Sequence, residues 1–108
     1  MYSIYKIYRK SSYNGLILNF FYKEGWIFMK TQEAVGIRIK ELCAERNLTI
    51  NGIANLSAVP PMTVYSMYYG KSNNPGIVNI KKLCDGFGIT LGQFFSTELF
   101  DNLEQEIQ

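Results

Sequence analysis

Between residues 34 and 95 apolar residues recur at helical spacing, but residues that end helices keep interrupting the pattern, at Asn47, Pro60, Gly70 and Gly88. A chain punctuated in this way cannot build one long helix. The spacing is also wrong for strands, which alternate every second residue. What remains is a stack of short helices around a shared core, and so an all-α fold.

Each segment carries its own start and stop signals. Val35, Ile39, Leu42 and Cys43 form one apolar stripe over residues 34–47, with Lys40, Glu41, Glu45 and Arg46 able to point outward. Asn47 can take the left-handed conformation that closes a helix. Thr49 is a candidate N-cap for a second helix over about 50–57, whose apolar face is Ile53, Ala54 and Leu56. Gly52 weakens that helix by about 1 kcal/mol relative to Ala. Residues 58–60 turn the chain, and Pro61 suits the first position of a third helix over about 61–69, where a missing N–H does no harm. Its Val64 and Met67 point toward the core. Residues 70–76 read as a polar loop. A fourth helix over about 77–87 places Ile80, Leu83, Cys84 and Phe87 on one face and ends at Gly88. Thr90-Leu91-Gly92-Gln93 fits a capping box, so a fifth helix begins near Leu91.

The frame Ile53-Ala54, Val59, Val64, Met67 and Gly70 resembles the lambda-repressor-like (Xre/Cro) helix-turn-helix family of bacterial and phage regulators. Arg38-Ile39 and Leu42 upstream agree with it, as do Asn74-Pro75, Ile77 and Ile80 downstream, and so does the run from Leu83 to Phe95. The resemblance covers residues 34–95 and all five helices in order. It implies a compact five-helix DNA-binding domain over residues 29–96. A segment of residues 1–28 precedes it, and residues 97–108 follow as an acidic amphipathic tail with short helical character. The expected function is sequence-specific binding of double-stranded DNA by a small transcriptional regulator.

By this resemblance Ala54 is small where the second and third helices cross, and Val59, Val64 and Met67 lock that pair together. The outer face of the third helix then meets the major groove. That face is Pro61, Met62, Tyr65, Ser66 and Tyr69, with Pro61, Met62 and Ser66 at base-facing positions and Tyr65 where phosphate is often touched. Lys71, Ser72, Asn73 and Asn74 suit phosphate contacts. The plainer readings are a solvated helix face and a solvated connector. Two departures stand out: Ile50 replaces the usual phosphate-binding Gln, and Ala58 replaces the usual turn glycine. Neither Pro61 nor Met62 can make a bidentate base contact. Base recognition therefore leans on thymine methyls, on Ser66 and Tyr65, and on DNA shape.

Charge is compatible with this reading without demanding it. The net charge is +2, with basic residues in excess up to residue 95 and Glu98, Asp101, Glu104 and Glu106 in the tail. The chain has no His, which removes the commonest zinc ligand and proton shuttle. With no phosphate-cradling glycine loop and no paired carboxylates, neither an enzyme nor a cofactor or metal is expected. Cys43 and Cys84 read as two small buried thiols in a reducing cytoplasm. No run approaches a membrane span, and residues 16–22 lack the small-residue cleavage site of an export signal. The family resemblance implies a homodimer on DNA, here through the fifth helix and the tail. In the tail Leu99, Leu103 and Ile107 repeat at spacing four with Phe100 beside them. The same surface offers the alternative of an interaction module, such as an antitoxin gripping a protein partner through its tail.

Residues 1–28 support two readings. Tyr, Ile, Phe, Lys and Asn make up 17 of the 28, as translated AT-rich intergenic DNA would give. Lys23-Glu24-Gly25 can be encoded by a ribosome-binding sequence at a suitable distance before Met29. Alternatively Tyr13-Asn14-Gly15-Leu16 is a hairpin turn between strands at 4–8 and 16–22.

Overall fold

A computed structural model describes residues 29–107; both readings of residues 1–28 lie outside it. The regular structure of the described residues is helical, apart from one isolated bridge: α1 Thr31–Arg46, α2 Ile50–Ser57, α3 Pro61–Tyr68, α4 Ile77–Phe87, α5 Leu91–Phe95 and the single turn α6 Glu98–Asp101. The five expected helices occur in the expected order.

Local chemistry explains the boundaries. Glu33 reaches back to accept from the Lys30 N–H at 2.9 Å, opening α1. The Thr49 hydroxyl accepts from the Gly52 N–H at 2.9 Å, opening α2. At α5 the capping box is complete: Gln93 N–H donates to the Thr90 hydroxyl at 3.0 Å, and Thr90 N–H donates to Gln93 Oε1 at 2.9 Å. Pro61 occupies the first turn of α3.

The first four helices stop by one device. A left-handed residue (Asn47, Ala58, Gly70 or Gly88) lets the next N–H reach back to the carbonyl five residues earlier. The bonds run from Leu48 to Cys43 (2.9 Å), Val59 to Ala54 (3.1 Å), Lys71 to Ser66 (2.8 Å) and Ile89 to Cys84 (2.9 Å). Glycine fits such a site without strain and asparagine tolerates it. Ala58, at φ 56°, does not. Ala58→Gly relieves about 1–2 kcal/mol of steric strain and gives back about 0.4–1 kcal/mol through the freer unfolded chain. The expected result is a melting temperature a few degrees higher, read by circular dichroism. An unchanged or lower midpoint would mean that the turn absorbs the alanine without strain.

The core gathers Val35, Ile39, Leu42 and Cys43 of α1, Ile53 and Ala54 of α2, Val59, Val64 and Met67 around α3, Ile80, Leu83, Cys84 and Phe87 of α4, and Phe94 of α5. Two glycines allow the helices this close. A Cβ on Gly36 of α1 would sit 2.7 Å from the Met67 and Tyr68 carbonyl oxygens of α3. One on Gly86 of α4 would sit 2.2 Å from Ser57 Oγ of α2, a buried hydroxyl that finds no hydrogen-bond partner.

Three expectations are corrected. Leu56 is exposed rather than part of the inner face of α2. Glu41 and Arg46 turn inward rather than to solvent. Glu41 is buried against Arg38, with Arg38 Nη1 donating to Glu41 Oε1 at 3.1 Å. Arg46 Nε donates to the Phe87 carbonyl at 3.0 Å. The repeat of Leu99, Leu103 and Ile107 does not continue as a helix. Leu99 is fully buried, and Phe100 meets Phe95 edge to face with ring centroids 4.9 Å apart. Leu103 then pairs as an isolated parallel bridge with Met29, Glu104 N–H donates to the Met29 carbonyl at 3.1 Å, and the Thr31 hydroxyl donates to Glu106 at 2.9 Å. Of that stripe only Ile107 is left exposed.

Candidate nucleic-acid interface

Helix α3 is held from behind by Val64 and Met67, both buried. Its front carries the expected residues, unequally presented. Pro61 is exposed. Met62 is 73% exposed, Tyr65 41% and Tyr69 49%. Ser66 is only half-buried rather than fully presented, and its main-chain carbonyl accepts from both Lys71 and Ser72 N–H groups, at 2.8 and 3.2 Å. Tyr69 lies just past the last residue of α3, as its C-cap.

The loop after α3 is tied to it. The two hydrogen bonds to the Ser66 carbonyl fix Lys71 and Ser72 against the end of the helix, while Lys71, Asn73 and Asn74 remain exposed. The Lys71 ammonium sits 5.6 Å from the Tyr65 ring centroid, within cation–π range. Tyr65 and Tyr69 rings approach to 4.6 Å. Lys40 of α1 leans over Tyr68 and Tyr69 at 5.3 and 5.5 Å. Its burial there lowers its pKa from the ordinary lysine value. Sequence reading left Lys40 able to point outward; no local signal could place it beside rings nearly thirty residues away.

The two arginines of the domain are structural. Arg38 donates through Nε to the Phe94 carbonyl at 2.8 Å and through Nη2 to the Gln93 carbonyl at 2.9 Å, neutralising the carbonyl end of α5. Arg46 does the same at the end of α4, with its guanidinium 5.7 Å from the Phe87 ring. Lys81 pairs with Asp85 one turn along α4. The cation at the end of α3 is therefore Lys71. Ile50, at the start of α2, packs against the core, so the place where phosphate-binding chemistry was missing is taken by a hydrophobic contact.

Among the described residues no group of three or more His, Cys, Asp or Glu is placed to hold a metal ion. None of the described helices is long and apolar enough to cross a membrane. Burial raises the Cys43 thiol to about 11 and also raises Cys84, so neither is activated toward nucleophilic chemistry.

Two short helices locked across a tight turn, with the second presenting its outer side, define a helix-turn-helix protein. The comparisons agree. A sequence profile of the Cro/C1-type helix-turn-helix DNA-binding domain matches residues 38–99, and the chain belongs to that family. It is a DNA-binding transcriptional regulator in the general sense of the family, which is typically non-enzymatic. The chain is also similar to the crystal structure of the prophage Lp1 protein 11, at 37% identity and a TM-score of 0.61, over 69% of this chain and 100% of that one. No curated protein matches the chain.

Proposed function

We propose that this protein is a cytoplasmic regulator that binds duplex DNA sequence-specifically, with α3 in the major groove and two copies on two half-sites about one helical turn apart. The observation that supports it is the division of labour on α3. One side is buried, the other is open, and its end runs into a tethered polar loop led by an exposed lysine. Pro61, Met62, Tyr65, Ser66 and Tyr69 face base edges or the adjoining backbone. Lys71, Ser72, Asn73 and Asn74 hold phosphate and set the register.

The test is selection of bound duplexes from a random pool, followed by titration of variants. Tyr65→Ala weakens binding to the selected site by about 1–3 kcal/mol, and Ser66→Ala does so less, because Ser66 is half-covered. Lys71→Ala weakens all sequences alike and lowers the slope of log K against log salt by about 1. Circular dichroism confirms that each variant is folded. Unchanged affinity and unchanged salt slope in all three would remove α3 from the DNA.

A protein partner gripped through the tail is the weaker reading. Leu99 and Phe100 are packed into the molecule itself, and Leu103 pairs with Met29. By the same packing, a dimer contact built on that stripe has little but Ile107 to offer.

A further inference from the structure

The open side of α3 lacks the groups that read base edges by paired hydrogen bonds. Such recognition uses Arg, Lys, Asn, Gln, Asp or Glu. None of these occurs between Leu56 and Gly70. What protrudes is Met62, the most exposed apolar side chain of the helix, with Pro61 beside it and the paired rings of Tyr65 and Tyr69 further along. Ser66 is half-covered, and each tyrosine hydroxyl can offer only single bonds. The two cations beside this face, Lys71 and Lys40, lie against the rings of Tyr65 and Tyr69 at 5.6 and 5.5 Å.

The chemical partner of such a surface in the major groove is the one apolar group displayed there, the C5-methyl of thymine. Resting on the reading of α3 as the groove helix, we infer that this protein recognises its operator chiefly as a pattern of pyrimidine C5-methyl groups, with Met62 as the principal methyl contact and Tyr65 and Tyr69 as flanking ones. Two consequences follow. The half-site is rich in thymine at the positions under α3. A G·C pair whose cytosine carries a 5-methyl group substitutes for A·T there far better than an unmethylated G·C pair, since it restores the contacted group while changing the hydrogen-bonding pattern that the helix does not read.

The experiment takes one duplex enriched from a random pool and replaces its thymines with deoxyuridine, one position at a time. This removes a methyl group and leaves base pairing intact. Each methyl under α3 is worth about 0.8 kcal/mol, a loss of roughly fourfold in affinity. In Met62→Ala, whose altered side chain stands in solvent and leaves the fold alone, the loss vanishes at the position Met62 touches. At that position 5-methylcytosine binds several times better than cytosine. Equal affinity for thymine and deoxyuridine duplexes, while the selected site is still preferred over a scrambled one, overturns the methyl code and leaves α3 as the reading helix. A loss that persists unchanged in Met62→Ala, Tyr65→Ala and Tyr69→Ala also overturns it, because the methyls would then act through DNA shape. Failure to enrich any duplex removes the groove reading itself and this inference with it.

Discussion

Arg38→Ala lowers the unfolding free energy by about 3–5 kcal/mol, the range for breaking a buried charge pair by deleting one partner. The side chain is 12% exposed and its partner Glu41 8%. Three separate bonds depend on one guanidinium: two to the carbonyls that end α5 and one to Glu41. Removing it strands the Phe94 carbonyl and a buried carboxylate at once, and leaves the exposed Gln93 carbonyl to water. Glu41 already has its pKa raised, first by burial, with Arg38 pulling it back down. A carboxyl raised in the native state favours folding most where it is protonated, and that contribution is lost as pH rises through the raised native value. Without Arg38 the rise is larger, so the deficit of the variant is greatest near neutral pH and narrows on acidification. Urea titrations of both proteins across pH measure this. Arg38→Lys keeps the charge but not the fork, and falls between the two. A loss below about 1 kcal/mol with no pH dependence would show the guanidinium to be no more than a surface charge.

Gly36→Ala costs about 1–3 kcal/mol, in the manner of an overpacked core. The new methyl meets two backbone carbonyls at 2.7 Å, and backbone cannot swing aside as a side-chain tip can. In an unobstructed helix the same change would stabilise by about 1 kcal/mol, so the sign of the effect alone decides whether α1 and α3 approach this closely. Because the obstructing atoms belong to the end of α3, the variant also shifts the exposed side of α3 that we propose meets DNA. Binding to the selected duplex should fall more than the loss of stability accounts for, measured at a temperature where the variant is fully folded. A rise in stability would place the two helices further apart than described.

These two residues mark where sequence reasoning runs out. Arg38 looked like part of the family frame but had no visible task. Its acceptors lie at Gln93 and Phe94, more than fifty residues along the chain. Gly36 gave no local signal, since it breaks no helix and makes no turn; its reason is a neighbour that only the fold supplies. Leu56 erred in the other direction. It fits an apolar stripe on α2, yet the core fills from Ile53 and Ala54 and leaves it outside.

The helix limits were legible because they are set by bonds a few residues long. Thr49, the Thr90–Gln93 box, Pro61, Asn47 and Gly88 act on their own helix ends wherever those helices sit. The exposed side of α3 was legible for a related reason: Val64 and Met67 mark the buried side of the helix, and Met62, Tyr65 and Tyr69 are the remainder. The inward turn of Glu41 and Arg46, the halving of Ser66, the seat of Lys40 on two tyrosines and the folding back of the tail onto Met29 were not legible. Each depends on which distant group happens to stand opposite. That is a property of how the helices pack, and spacing along one helix does not encode it.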